Sequence, residues 1–290
     1  MIVNESLSKQ TKDILNENNI KLNKNLGQNY LIDRNKRDQI VNFGNLNKDD
    51  VVLEIGPGIG TLTCEIASKV DRVIAIEQDS VICNILEKRL ESEEIDNVEV
   101  INDDAVTCSF PDFNKIISNL PYQISSPITF KFLNYDFDLA ILMYQKEFAS
   151  RMVAEVGDKN YSRLSAMLYF KCDTEYLTHV SGESFIPKPK VDSSVVRLTP
   201  NLKFKEEISG SDFEVYSRYT RALFQHKNKK ARNALIDSRH EISSLDKKEF
   251  KSILNSVDSS KINDLLLKRV ITISPEEILY LSKYLNDLYV

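Results

Sequence analysis

Val51-Val52-Leu53-Glu54-Ile55-Gly56-Pro57-Gly58-Ile59-Gly60 is an apolar run that ends in three alternate glycines. A short, β-branched run reads as a strand, and glycines directly after it mark a turn where backbone N–H groups can approach a ligand. The amphipathic stretch TLTCEIASKV follows from Thr61, so the turn joins a strand to a helix. Working outward, VIAIE, SVICNILEKRL, VEVI, KIISNL and LAILMY continue the alternation of apolar runs and helical patterns to about residue 142. That rhythm predicts an α/β fold, a parallel sheet with helices on both faces. The alternating run Ser193-Ser194-Val195-Val196-Arg197-Leu198 closes this region just before Pro200. Beyond about residue 205 the pattern predicts only helices, near 212–225, 229–237, 247–256, 259–269 and 275–288. The last opens on Ser274, Pro275 and Glu277, the spacing of a capping box. Two domains are expected, an α/β domain over 1–202 and a small all-α domain over 203–290.

Composition sets the class. The 290 residues are 42% hydrophobic with a net charge of −5, ordinary for a globular protein. No apolar run approaches the roughly 18 residues of a membrane span, and the first residues are too polar for a signal peptide, so a cytoplasmic protein with no membrane partner is expected. Cys64, Cys83, Cys108 and Cys172 form no C-x-x-C pair, and His179, His226 and His240 share no ligand spacing with them, so neither a metal site nor a disulfide framework is expected. Net charge hides one local excess. From Val215 to Ile236 there is no acid, against Arg218, Arg221, Lys227, Lys229, Lys230 and Arg232. Such a segment points to phosphate contact.

The glycines at 56, 58 and 60 leave Thr61 where a dinucleotide fingerprint needs its third glycine, and no Gly-Lys-Ser/Thr follows, so NAD is disfavoured and a P-loop excluded. The next strand ends at Glu77, where a carboxylate can take both hydroxyls of a ribose. The strand after it ends in Asn102-Asp103-Asp104-Ala105, where an aspartate can accept from an adenine amino group. A nucleoside at the carboxyl edge of the sheet is therefore expected. A second string, Asn119-Leu120-Pro121-Tyr122, ends another apolar run on the same edge. The Asn119 side-chain oxygen and the Leu120 carbonyl can take the two hydrogens of an exocyclic amine, Pro121 stiffens the turn, and Tyr122 offers a ring for a base. That arrangement favours a more pyramidal, more nucleophilic nitrogen without a strongly basic side chain.

These strings resemble the rRNA adenine N6,N6-dimethyltransferases, over nearly the whole chain from about Lys24. Asn25-Leu26-Gly27-Gln28-Asn29-Tyr30-Leu31 resembles the family's G-Q-N-F-L segment, with tyrosine for the usual phenylalanine. Ser118 to Pro127 (SNLPYQISSP) resembles its extended catalytic motif, Tyr144 to Arg151 (YQKEFASR) its Q-K-E segment, and Phe185 to Ser194 (FIPKPKVDSS) its F-x-P-x-P-x-V motif. The resemblance implies a Rossmann-like S-adenosylmethionine-dependent methyltransferase fold with S-adenosylmethionine as cofactor, held by Gln28, Asn29, Leu31, Glu54, Gly56, Gly58, Gly60, Glu77, Asp104, Ala105 and Asn119. By position Asp104, not Asp103, matches the family's Gly-Asp-Ala aspartate. It also implies catalysis by Asn119, Leu120, Pro121 and Tyr122, with Phe185 as the second face of a base sandwich; without the resemblance Phe185 reads as a loop-anchoring core aromatic. Ala222 to Asn233 matches the basic segment of the small-subunit branch in part, which implies that Arg221, Lys227, Lys229, Lys230 and Arg232 contact RNA. The expected activity is dimethylation of adenosines in small-subunit rRNA on a pre-ribosomal particle, by a monomer. The alternatives are the large-subunit branch and an assembly factor whose catalysis is secondary; a DNA adenine methyltransferase fits less well.

Overall fold

The computed structural model describes residues 6–18, 20, 29–202, 204 and 208–288. The chain forms two compact units, residues 1–149 with 175–200 and residues 150–174 with 201–290.

The first unit is built on a seven-stranded sheet. In chain order its strands are β2 (Val51–Ile55), β3 (Arg72–Glu77), β4 (Val98–Asn102), β5 (Lys115–Asn119), β6 (Leu139–Gln145), β7 (Cys172–Val180) and β9 (Ser193–Pro200). They lie in the order β4-β3-β2-β5-β6-β9-β7. The ladders from β4 to β6 are parallel, as the alternating pattern predicts, whereas β9 runs antiparallel to β6. A two-stranded sheet pairs β1 (Tyr30–Leu31) with β8 (Phe185–Ile186). The central strands are buried on both faces, Val52, Leu53 and Ile55 on β2 and Ile116 and Ile117 on β5, which is why they read as continuous apolar runs rather than alternating ones. The helices of this unit include α1 (Leu7–Glu17), α2 (Arg34–Phe43), α3 (Thr63–Ala67), α4 (Ser80–Ser92) and α5 (Ser125–Phe132). Aspartates open two of them: Asp33 accepts from the Lys36 amide to start α2, and Asp79 accepts from the Val81 and Ile82 amides to start α4. Strand order reverses between β2 and β5, so their carboxyl ends flank the crevice where such sheets bind ligands.

The second unit is helical. The helix α6 (Lys146–Met152) leads into it, followed by α7 (Arg163–Tyr169), α8 (Gly210–Phe224), α9 (Ala231–Asp237), α10 (Lys247–Asn255), α11 (Ser260–Leu267) and α12 (Pro275–Asp287). The last five match the expected helices within a few residues, and Ser274 with Glu277 forms the expected capping box. Residues 150–174 cluster with this unit, although Cys172, Asp173 and Thr174 open the sheet strand β7, whereas the sequence pattern predicts a single division at 202/203. Aromatic packing explains the difference. Phe170 lies edge-on to Tyr216 at 5.1 Å between ring centroids, Tyr161 to Phe224 at 5.2 Å, and the Tyr216 hydroxyl donates to the Ala166 carbonyl at 2.7 Å. Neither β7 nor α1 is predicted from the sequence pattern. The strand β7 has three polar residues, Asp173, Thr174 and Glu175, in its first four positions, and α1 lies in a polar stretch. Among the described residues no helix is long and apolar enough to cross a membrane.

Candidate active site

The turn after β2 carries the expected conformations. Gly56 and Gly58 have φ of +68° and +57°, which L side chains rarely adopt. A Cβ on Gly56 would stand 2.9 Å from Cγ of Pro121, and one on Gly58 would stand 2.8 Å from a ring carbon of Tyr30. The glycine turn and the Asn119–Tyr122 turn thus approach so closely that a single methyl would part them. Below them, Ser118 Oγ donates to the Ile55 carbonyl at 2.6 Å and accepts from the Ile55 amide at 3.3 Å, tying β2 to β5 where their ladder ends.

The crevice has two adjoining lobes that share Gly56, Glu77 and Pro121. One is walled by Asn29, Leu31, Glu54, Gly58, Asn119, Leu120 and Tyr122, among others. The other is walled by Asp103, Asp104, Ala105, Gln123 and neighbouring residues. The structure therefore brings together Asn29, Leu31, Glu54, Gly56, Gly58, Glu77, Asp104, Ala105 and the whole Asn119–Tyr122 string. Gln28 lies outside the described residues. Gly60 faces α4 instead, its missing Cβ 2.7 Å from a Leu86 methyl. Among the described residues the walls carry four carboxyl groups, Glu54, Glu77, Asp103 and Asp104, and no lysine, arginine or histidine.

Hydrogen bonds orient Asn119 and the four carboxyl groups of the walls. The Asn119 amide nitrogen donates to the Asn29 carbonyl at 3.2 Å, so its oxygen is the acceptor left to the crevice. Glu77 Oε1 accepts from the Asp79 amide at 3.0 Å and Oε2 from the Gly58 amide at 3.3 Å. Burial pushes the Glu77 carboxyl up, and these amides oppose the shift. Asp104 Oδ1 accepts from the Val106 amide at 2.8 Å, and Asp103 Oδ1 accepts from the Asp104 amide at 2.7 Å, so Asp103 supports the turn that presents Asp104. Glu54, 2% exposed, takes the Thr63 hydroxyl at 2.7 Å; burial first and Glu77 second push it up to about 8, against the Thr63 bond.

Lys131, on α5, escaped sequence reading. Its Nζ donates to the carbonyls of Ala105, at 2.6 Å, and Cys108, and sits 3.9 Å from the Phe110 ring centroid. The loop that follows β4 is thereby tethered to the helix that follows Tyr122. No local motif announces a lysine 26 residues from its acceptor.

Two expectations need correction. Phe185 is 2% exposed and packs among Leu31, Ile40, Val41, Met143, Val180 and Val195. Pairing of β8 with β1 turns it inward, so its ring anchors the core and is not presented as a second stacking face. The basic segment, in turn, is mostly engaged within its own unit. Lys227 donates to the Lys159 carbonyl at 2.8 Å, Lys229 pairs with Asp237 at 2.8 Å, Arg232 bonds the Leu254 carbonyl and the Asn255 side chain, and Arg221 lies 3.6 Å from Glu241. Among the described residues Lys230, the N-cap of α9, makes no ion pair.

Two outcomes follow from this geometry. The Glu54 carboxyl titrates higher in the fold than its ordinary 4.5, so its share of stability is complete at low pH and is lost as pH rises through about 8. Thermal unfolding from about pH 5 to about pH 9 should show Glu54→Gln gaining on the parent as pH rises, on the order of a few kcal/mol at the alkaline end; parallel curves would refute it. Replacing Lys131 with methionine should speed hydrogen exchange at the Val106, Thr107 and Cys108 amides about tenfold or more while β2 and β5 stay protected, since a charged hydrogen bond contributes roughly 1.5 to 3 kcal/mol. Unchanged exchange would mean that the loop does not depend on the tether.

The comparisons with known proteins agree in family. The sequence model of the family described as ribosomal RNA adenine dimethylase matches residues 19–271. The "probable ribosomal RNA small subunit methyltransferase A" of Methanosphaera stadtmanae is 47% identical over 276 residues, covering 95% of this chain and 98% of its own. Among solved structures, a dimethyladenosine transferase from Plasmodium falciparum aligns with a TM-score of 0.73 at 31% identity, over 89% of this chain and 97% of that one. The 23S rRNA methyltransferase ErmE aligns with a TM-score of 0.64 at 26% identity, over 89% and 99%. The chain belongs to the ribosomal RNA adenine dimethylase family.

Proposed function

We propose that this protein is an S-adenosylmethionine-dependent dimethyltransferase of adenosine N6 in small-subunit rRNA. The observation that carries the reading is the Asn119 side chain. Its nitrogen is committed to Asn29, which leaves an oxygen acceptor beside Leu120, Pro121 and Tyr122 and against the glycine turn. The relatives' names support the substrate, and the crevice supports the donor. A wall that carries four carboxyl groups and, among the described residues, no cation suits a nucleoside that bears positive charge and no phosphate. The glycine cradle suits close backbone approach.

When bound, S-adenosylmethionine supplies an electrophilic methyl on a sulfonium. In this reading Glu77 would hold the ribose hydroxyls, Asp104 and Ala105 would hold the adenine, and Asn29, Leu31 and Glu54 would hold the methionine end. The target adenine stacks on Tyr122. Burial raises the Tyr122 phenol above its ordinary value, so the ring stays neutral. Asn119 Oδ1 and the Leu120 carbonyl hold the two amine hydrogens, which localises the nitrogen lone pair and aims it. A second transfer proceeds with one hydrogen left, so one acceptor suffices for it. The RNA reaches the helical unit through Lys230 first, because Lys227, Lys229 and Arg232 also brace their own loop.

Labelled methyl transfer to unmethylated small subunits, large subunits, free rRNA and DNA tests the reading. Label should enter small subunits and map to dimethyladenosine; label confined to large subunits would move the protein to the other branch. Calorimetry should show Glu77→Ala and Asp104→Ala each weakening donor binding about ten- to hundredfold, and Asp103→Ala less. Asn119→Ala should lower turnover at unchanged RNA affinity and let monomethyladenosine accumulate in single-turnover time courses. Lys230→Glu should weaken particle binding and flatten its salt dependence at unchanged melting temperature, whereas Lys229→Glu should lower both. Equal melting temperatures for the two would show that the Lys229–Asp237 pair does not brace the loop.

A further inference from the structure

Tyr122 is held at both ends. Its carbonyl accepts from Ser125 Oγ at 3.0 Å, at the start of α5. Its phenol oxygen lies 2.7 Å from Ser193 Oγ, the usual length of a hydroxyl–hydroxyl bond. Ser193 is 0% exposed, so solvent reaches that bond only from the half-buried Tyr122 side. It opens β9, opposite Gln145 of β6. The residue before it, Asp192, is pinned three times. Its carbonyl accepts from the Lys146 amide at 2.9 Å, and its carboxylate accepts from the Gly182 amide at 3.0 Å and faces His179 Nε2 at 3.0 Å. The Ser193 hydroxyl is therefore presented from a fixed strand end, 71 residues away from the ring it holds.

We propose that Ser193 is a positioning residue for base methylation: by bonding the Tyr122 hydroxyl it holds that ring in one rotamer as a preformed stacking platform. The inference rests on the adenine-dimethylation reading above. A change of χ1 would swing the phenol oxygen by several ångströms and break the bond. With its backbone and its hydroxyl both held, the ring keeps only flips about its own long axis, and these leave its face where it was. A platform ordered in advance spares the complex the entropy of ordering it. Because Phe185 is buried in the core, stacking on Tyr122 has no second aromatic face from that residue, and the order of this one ring weighs more.

Three variants and two readouts test the proposal. Ser193→Ala should lower kcat/KM on small subunits about tenfold at unchanged donor affinity. Tyr122→Phe, which keeps the ring and removes only the hydroxyl, should do the same, and the double variant should lose no more than either single one. Tyrosine ring NMR, with the Tyr122 signal assigned by its absence from Tyr122→Phe, should show a protected hydroxyl proton in the parent that is lost in Ser193→Ala. Ser193→Thr, which keeps the hydroxyl, should restore both readouts toward the parent. Parent-like kcat/KM in Ser193→Ala, an unchanged Tyr122 signal, or additive losses in the double variant would each overturn the proposal. If Ser193→Ala fails to fold, Tyr122→Phe and Ser193→Thr decide alone: parent-like kcat/KM in Tyr122→Phe overturns it. A parent protein that methylates no RNA would instead sink the functional reading, and is told apart by that control.

Discussion

The contact on which the site depends is the junction of β2 and β5. Ser118 closes the ladder by bonding both the amide and the carbonyl of Ile55. One residue further on each strand, Gly56 and Asn119 begin the two turns that build the crevice, and Pro121 fills the space that a side chain at 56 would need. The constraint is steric and mutual. A glycine is required at 56 because a ring stands there, and the ring can stand there because the strands are registered by a buried hydroxyl. The glycine turn and the Asn119–Tyr122 string both begin within a few residues of this point, on backbone that parallel pairing has already fixed.

What the sequence revealed was local. The glycine turn, the Asn119–Tyr122 turn, Glu77 and the Asp103–Asp104 pair each follow an apolar run, so a strand-by-strand reading placed them on one edge of one sheet. What it did not reveal depends on contacts distant along the chain. Ser193 lies 71 residues from Tyr122, Lys131 lies 26 from Ala105, and Glu54 and Thr63 face each other across the whole glycine turn. Phe185 shows the limit from the other side. Its motif is read from the string alone, yet pairing of β8 with β1 decides which way the ring points, and it points into the core. The basic segment has the same lesson: a run of cations on the page is a count of charges, and their partners, Asp237, Glu241 and two backbone carbonyls, come from elsewhere in the helical unit.

Residues 150–174 cluster with the helical unit, which the sequence pattern does not show, for a related reason. Periodicity does not identify the neighbours of an element, and α7, a short helix with five consecutive buried residues, has no polar face that would show which unit it packs on. Its placement is decided by Phe170, Tyr161 and the Ala166 carbonyl, which meet side chains of α8. Aromatic rings bury large areas and have preferred edge-on geometries, so a few of them can decide where a seven-residue helix belongs.

Charge in the crevice is arranged by exclusion. Buried carboxyls without a nearby cation are costly when ionised, and the fold limits that cost in two ways. Glu77 spends its oxygens on the Gly58 and Asp79 amides, which favour the ionised form, while Glu54 has a single hydroxyl partner and is driven toward the neutral one. The two acids stand on neighbouring strands, β2 and β3, and Glu77 adds to the cost of ionising Glu54. A cationic ligand entering beside them relieves that tension, whereas a phosphate would deepen it. Among the described residues the wall carries no cation, so its charge weighs against a phosphate independently of the glycine spacing that weighs against NAD: one argument concerns what field a ligand meets, the other how close a backbone can come.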